Sequence, residues 1–550
     1  MSQSLSVVVP ARDAEPWITE LLESILAQDV DELEVIVVDN GSSDSTADLV
    51  TAFASADARV RLIRSAATTA AAARNEGVDA ASGEYLVFAD SDDIVPDGAY
   101  RSMLESLVAS GSDMVIGDHL KFSATATWSP TARWGTFASP GSFVAPDDRP
   151  ELLTGRACWN RIFRRSFWDQ AGLRFPEIAS VDDIEPMTRA LLEAEHVDVV
   201  AAQVYLYRDR SDASSISQRA DAVTTARYLQ QELACARLVA DRAAFREQHA
   251  AIVVDADGWA HLARFLAAKP SSDDITVVQP ALRELLDVIP SGVIERAAPV
   301  RRALWGLLLT GNWDVAVEFV DGVDASDART RLAAWSTAMT ALGRRIDDRI
   351  DLAVLVAEGL VPALVNGADE VSAAWLAEAV PQLAELPIGA AEPGLRAAMA
   401  DALARGAASE VATVAGLRRV LPLVVQAATP TEGGLEVSGR LPSEVALTLV
   451  LRSGADIVTA PVCRDGDSWA ASIASEELTS GRWSVTVRAA GIAEEFPVVT
   501  ARMPLPPVDD PFVLQPLADR KDGWRFLVDR RVPKRRGIGA LLTRVGRKGR

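Results

Sequence analysis

Apolar residues gather into short runs at the start of the chain, and stretches of helical spacing separate the runs. Leu5–Pro10 (LSVVVP), Leu33–Asp39 (LEVIVVD), Val60–Ile63, Tyr85–Ala89 and Met114–Gly117 have the length and composition of buried strands. Between them, Glu15–Gln28, Asp44–Ser55, Ala70–Ala81 and Asp97–Ser110 read as helices. Strands alternating with helices of this length predict βαβ units and a parallel sheet with right-handed crossovers. From Arg219 to Arg419 the spacing turns wholly helical, interrupted by Pro270, Pro280, Pro290, Pro362, Pro381 and Pro387, with a long helix expected over Arg219–His249. From Leu421 the period falls to two (LEVSGRL, VALTLVLRS, SWAASI, RWSVTVRAA, FPVVTARM), with turns at Gly433-Gly434, Asp465-Gly466 and Gly481. Short strands this closely spaced predict a small β-sandwich. Pro504, Pro506, Pro507 and Pro511 then mark a stiff linker. The expected organisation is an α/β domain over 1–217, a helical region over 218–419, a β-sandwich over 420–505, and a linker with a basic tail over 506–550.

The polar punctuation of the α/β part is where chemistry is expected. Asp13 follows the first strand, Asp39 closes the second and Asp90 closes the fourth. Open α/β sheets bind ligands outside the carboxyl ends of their strands, so these acids mark a nucleotide-sized crevice. The fourth strand runs into Asp90-Ser91-Asp92-Asp93, three carboxylates within four residues. Carboxylates so close repel one another, and a hard cation between them offsets that cost. A divalent ion held by one or two carboxylates and completed by phosphate oxygens is the magnesium or manganese pattern. The alternative is a solvated acidic turn. Neither a G-x-G-x-x-G nor a Walker A motif is present, so neither dinucleotide nor P-loop chemistry is indicated.

Composition narrows the partners. The 550 residues are 49% hydrophobic with a formal charge of −22. Residues 520–550 carry twelve Lys or Arg against two Asp, a net +10, which leaves −32 on residues 1–519. An acidic body argues against nucleic acid as the main partner. Cys158, Cys235 and Cys463 are odd in number and far apart, which speaks against a disulfide framework or zinc site and fits a reducing cytoplasm. Neither a signal peptide nor an uncharged apolar run of the roughly 18 residues a membrane span needs is visible. The four histidines form no metal-like cluster. The tail, with Trp524 and Phe526 among its cations, suits an anionic membrane surface, a phosphate-rich polymer or a solvated end.

The series VVVPARDAE, EVIVVDNGSSDST, AAAARNEG, GEYLVFADSDD, WNRIFRRSFW and VDDIEPMTRALL resembles, in order and spacing, the motifs of family 2 glycosyltransferases over about residues 4–217. The layout of the later chain is similar to that of bacterial wall-teichoic-acid glycosyltransferases, which carry a helical linker and immunoglobulin-like C-terminal domains that drive oligomerisation. The resemblance implies a GT-A fold and an inverting, Mn2+- or Mg2+-dependent transfer from a nucleotide-diphosphate sugar, UDP-GlcNAc first. The acceptor would be a cell-envelope polymer or its lipid-linked precursor, and the protein a cytoplasmic, peripheral dimer or trimer. A different donor (a UDP-hexose or GDP-mannose, for capsule or glycolipid assembly) and a non-catalytic polymer-binding scaffold are the rival readings.

By the same resemblance Asp92 holds the metal, with Asp90 beside it through water or the donor ribose, Ser91 at the donor and Asp93 at the donor sugar. Asp39 takes the base or ribose, flanked by Pro10 and Asp13, and Arg74 with Asn75 meets the diphosphate through a planar fork. A turn residue and a surface arginine are the plain alternatives. Asp182-Asp183 stands where the family carries a Glu-Asp pair, which makes Asp183 the general base and places Asp182 at a sugar. Merely complementing the dipole of a helix that starts near Pro186 is the alternative. Arg208, Arg210, Ser214, Ser215 and Ser217 match a loop that closes over the diphosphate, or else a plain surface loop. Trp159 and Trp168 fit core packing better than sugar stacking. The sequence departs from the family where Asp13 replaces the frequent Asn, Asn40 the frequent Asp, and Asp182 the usual Glu.

Overall fold

The computed structural model describes residues 4–210, 220–345, 347–431, 433–441, 444–501, 512–516 and 523–530. The chain divides into two compact units, Met1–Val320 and Asp321–Arg550.

In the first unit the strands are β1 (Ser4–Ala11), β2 (Glu32–Asp39), β3 (Val60–Arg64), β4 (Tyr85–Phe88), β5 (Met114–Phe122), β6 (Thr127–Trp128), β7 (Gly141–Val144), β8 (Arg161–Arg164) and β9 (Val197–Arg208). They pair in the order β3-β2-β1-β4-β8-β5-β9-β7, with β6 on the edge of β5. The first four are parallel, as their unbroken apolar runs imply. The sheet is not wholly parallel: β8 runs antiparallel to both β4 and β5, and β7 antiparallel to β9. Helices α1 (Ile18–Leu26), α2 (Thr46–Ala56), α3 (Ala70–Ala80), α4 (Ala99–Ser110), α5 (Arg165–Gln170) and α6 (Ile184–Glu193) complete the α/β domain. The register sets Ala11 beside Asp39 and Val8 beside Phe88, so Asp13, Asp39 and Asp90 emerge along one sheet edge.

Close packing of α3 on the sheet depends on Gly77. A methyl group there would overlap the side chain of Val8 on β1 and press on Val38, 3.3 Å away. Both neighbours are rigid and β-branched, so overpacking costs about 1–3 kcal/mol. That outweighs the roughly 1 kcal/mol of helix propensity that alanine gains over glycine. Gly77→Ala is therefore expected to lower the urea midpoint of this unit, and an unchanged midpoint would show that the helix can shift away.

The helix expected over Arg219–His249 is two helices, α7 (Ala222–Leu238) and α8 (Ala243–Asp255). No Gly or Pro separates them; the turn instead buries Val239 and lets Phe245 and Ile252 join the core of the α/β domain. Next come α9 (Asp257–Ala267) and α10 (Ser272–Val288), the latter opened by a Ser271–Asp274 capping box. The helices that follow residue 217 thus belong, up to Val320, to the same compact unit as the sheet. A buried ion pair ties them to it. Both Nη atoms of Arg156 donate to Glu232 on α7 at 2.7 Å, and His249 Nε2 on α8 lies 2.8 Å from the same carboxylate.

The second unit opens with helices from Ala328–Arg344 to Ala408–Leu417. A β-rich region follows: β10 (Leu423–Thr431), β11 (Gly434–Arg440), β12 (Leu447–Ser453), β13 (Asp456–Pro461), β14 (Cys463–Asp465), β15 (Ser468–Ala474), β16 (Gly481–Ala489), β17 (Phe496–Thr500), β18 (Phe512–Pro516) and β19 (Trp524–Arg530). Its core includes Trp469, Trp483, Val487 and Val498. The region continues past 505, because β19 pairs with β16 and β18 with β19. Trp524 and Phe526, expected in a tail that meets a membrane or a polymer or stays solvated, are buried here together with Val528. No helix among the described residues is long and apolar enough to cross a membrane.

Candidate active site

The acids at the sheet edge are built into two linked loops and one tight turn. Asp39 ends β2 and is buried, its Oδ1 accepting the N–H of Ser42 at 3.2 Å. Asp13 is left-handed (φ 49°), a conformation that Asp tolerates better than most residues. Its Oδ1 accepts from Ser43 N at 2.7 Å and Ser43 Oγ at 3.0 Å, which stitches the loop after β1 to the loop after β2. Pro10 sits beside Val38 in the same corner.

The Asp90–Asp93 turn closes through Asp93 N to Asp90 O at 3.3 Å. The end of β9 lies across it. Tyr205 Oη accepts the Asp90 N–H at 2.8 Å, Arg208 N donates to Asp93 Oδ1 at 2.7 Å, and Arg208 Nε donates to the Asp92 carbonyl at 2.6 Å. Arg208 also reaches Glu20 on α1 at 2.6 Å, while Arg210 pairs with Asp92 Oδ2 at 2.5 Å. Asp93, expected at the donor sugar, is only 1% exposed and accepts from Arg208 N beneath the turn. Burial, then the charges of Asp92 and Asp90, push its carboxyl well above the ordinary range. Asp92 is raised as well, by burial first and Asp90 after, with Arg210 opposing. Ser91 is half-buried within the turn.

Arg74 joins the turn to the second acidic pair. Its Nη2 donates to Asp90 Oδ1 and its Nη1 to Asp182 Oδ2, both at 2.6 Å, and Phe175 lies 5.4 Å from the guanidinium. The fork expected to meet a diphosphate is thus spent on two carboxylates. Asn75 differs too: its amide exchanges two hydrogen bonds with the backbone of Phe175, at 2.8 and 3.0 Å. It ties α3 to that segment and does not reach into the crevice.

Asp183 occupies the N-cap position of α6, yet its side chain makes no capping hydrogen bond. A negative charge at this position complements the dipole of α6 even without a capping hydrogen bond. Partly open to solvent but walled by protein, its carboxyl is raised to about 7 by burial first and by Asp182 next, against the pull of Arg74. Val181, two residues earlier, has φ 58°, a strained conformation for a β-branched residue. The sulfur of Cys235 on α7 braces the helix start, 3.6 Å from Ile184 O and 3.4 Å from Thr188 Oγ1.

Trp159 stacks on Tyr205 with centroids 4.3 Å apart, and Trp168 packs among Phe88, Phe163 and Phe175, so both tryptophans serve the core. Ser214, Ser215 and Ser217 lie outside the described residues. Sequence reasoning missed Trp17, Glu20 and Tyr205. Their signal was weak, since each sits in an element whose spacing reads as ordinary core or surface.

The acids suit a divalent ion that takes one or two carboxylates and completes its shell with phosphate oxygens, because they offer hard oxygen donors at the sheet edge. Among the described residues the one group whose ligand atoms lie within 4.8 Å of one another is Glu232, Cys235 and His249. Arg156 and His249 already occupy that carboxylate, which makes it an ion-pair cluster and not a metal centre.

Comparison with known proteins finds similarity to a known family within the α/β domain. Residues 6–171 match the family model "Glycosyl transferase family 2". EpsJ of Bacillus subtilis, an uncharacterised glycosyltransferase, is 28% identical over 217 residues, 38% of this chain and 62% of that protein. The glycosyltransferase GlyG of Streptococcus pneumoniae is 36% identical over 123 residues, 22% of this chain and 41% of that protein. The chain therefore spans between 41% and 62% of the length of these two relatives. Among solved structures, residues 1–349 of S. aureus TarS bound to UDP-GlcNAc align at 19% identity and a TM-score of 0.48, covering 58% of this chain and 91% of that one. The longer S. aureus TarS structure aligns at 15% identity and a TM-score of 0.47, covering 96% and 86%. Over residues 6–171 the chain is thus similar to glycosyl transferase family 2 domains.

Proposed function

We propose that this protein is a metal-dependent inverting glycosyltransferase that moves a sugar, GlcNAc first, from a UDP-sugar to a hydroxyl of a cell-envelope polymer such as teichoic acid. The observation that carries the reading is the Asp90–Arg74–Asp182 bridge. It couples the acidic turn that would face a diphosphate to Asp183, an acid free of capping duty and raised to about 7. A base with a pKa near the working pH can accept the acceptor's hydroxyl proton.

In this reading Asp39, Asp13 and Pro10 hold the nucleoside end of the donor, with Ser91 and Asp90 nearer its ribose. Asp92 and Asp90 would hold Mn2+ or Mg2+, which when bound neutralises charge on the leaving diphosphate. Arg208, the last residue of β9, and Arg210 just beyond it would add positive charge beside that position, a reading supported by the contact of Arg210 with Asp92. Asp182 stays with Arg74 and fixes the approach to Asp183; Arg74 is a positioning residue here. The β-rich region, read as an immunoglobulin-like sandwich, and the basic tail would hold the polymer or membrane surface and support a dimer or trimer.

A thermal-shift panel of UDP, GDP, CDP and dTDP, each with and without Mn2+, tests the donor class. A ligand at 100 times its Kd stabilises the folded state by about 2.7 kcal/mol. Metal-dependent stabilisation by UDP is the expected result. A response to GDP alone would point to GDP-mannose, and silence towards every nucleotide would leave the scaffold reading in front.

A further inference from the structure

The cation facing Asp92 in this fold is an arginine of the chain itself. Arg210 Nε and Nη2 lie 2.6 and 2.5 Å from Asp92 Oδ2, and the guanidinium is stacked 4.1 Å from the ring centre of Trp17. Both side chains of the pair are largely shielded, at 21% and 16% exposure. Trp17 precedes α1, while Arg210 lies just beyond the end of β9, where Arg208 clamps the strand to the turn through Asp92 O and Asp93 and to α1 through Glu20. Arg210 takes Oδ2 alone, but a divalent ion on either oxygen of Asp92 would stand within a few ångströms of the guanidinium, and like charges so close repel strongly in a partly desolvated site.

Resting on the assignment of the metal to Asp92, we propose that Arg210 is an internal counter-cation that must leave Asp92 before the metal can bind. A nucleoside diphosphate gives the released guanidinium an anionic partner and supplies further ligands to the ion. Metal and nucleotide therefore bind with positive coupling, and by linkage each raises the affinity of the other by the same factor. Arg210 thereby discourages idle metal binding in the donor-free protein and sets the size of that coupling.

The test is a titration of the full chain with Mn2+, followed by the paramagnetic resonance signal of the free ion, with and without UDP. In R210A, Mn2+ should bind on the order of tenfold more tightly than in wild type when UDP is absent. The gain in Mn2+ affinity on adding UDP should shrink correspondingly. R210K keeps a point charge without the fork and should fall between the two. D92N should lose Mn2+ binding under both conditions. If D92N loses Mn2+ while R210A and R210K bind it as wild type does without UDP, the exchange is overturned and the metal assignment stands. If D92N binds Mn2+ like wild type, the assignment to Asp92 fails and the exchange fails with it.

Discussion

Asp183→Asn should lower turnover by about 10²–10⁴-fold, the usual contribution of a general base, while leaving nucleotide affinity essentially unchanged. Asn has the same shape but cannot take a proton, and Asp183 makes no capping hydrogen bond whose loss would disturb α6. The pH dependence gives a second readout. A raised carboxyl must lose its proton before it can act as a base, so kcat/KM should rise with pH and level off above about 7. Replacing Asp182 with Asn removes the nearest repulsive charge and frees Arg74 towards Asp183; both effects lower the pKa, so the rising limb should move to more acidic pH. Stability follows the opposite sign. Between the ordinary carboxyl value near 4 and about 7, the folded protein keeps a proton that the unfolded chain has released, so ionising Asp183 erodes stability as pH rises through that window. Asp183→Asn should therefore melt higher than wild type at pH 8, with little difference at pH 4. A variant as active as wild type would remove the assignment of the base.

The second large effect concerns the buried pair that ties Arg156 to α7. The side chains of Arg156 and Glu232 are 2% and 0% exposed and meet through two parallel hydrogen bonds. Glu232→Gln keeps the volume but leaves the guanidinium with only Asp257, whose Oδ2 is 3.5 Å away, as counter-charge. Breaking one partner of such a pair costs about 3–5 kcal/mol, against a total stability of about 5–15 kcal/mol for a typical domain. The first unit should lose a corresponding part of its denaturant resistance, and α7 to α9 should gain amide exchange before the sheet does. Apolar replacement of a whole buried pair is often neutral, but R156M combined with E232L should recover only part of the loss, because His249 and Asp257 lose their partners. A cost under about 1 kcal/mol for Glu232→Gln would mean that the pair behaves like a surface contact.

Legibility in the sequence followed local physics. β1 to β4 are continuous apolar runs closed by Asp or a turn, and the structure has them within a residue of the expected bounds. β8 escaped notice because Arg161-Ile162-Phe163-Arg164 has only two apolar residues, and its place between β4 and β5 is decided by tertiary pairing. The α7–α8 break was invisible for a similar reason: Phe245 turns into the core without a helix-breaking residue to announce it. β19, by contrast, was legible and overlooked. Trp524, Phe526 and Val528 alternate with Arg525 and Leu527, a period-two signal masked by the surrounding cations. At the site, the acids could be found because they close strands, whereas the partners of Arg74 and Asn75 could not. Asp90 and Asp182 are brought to one guanidinium from 16 and 108 residues away, and Phe175 to Asn75 from 100.

The most direct measurement of the central claim is the release of nucleoside diphosphate from a panel of nucleotide sugars. It should use Mn2+ and a cell-envelope polymer such as teichoic acid, and compare wild type with D183N. The account predicts acceptor-stimulated release from a UDP-sugar by wild type, with UDP-GlcNAc leading, and a loss of about 10²–10⁴-fold in the variant. Release that is indifferent to Asp183, or no release from any sugar nucleotide, would contradict it.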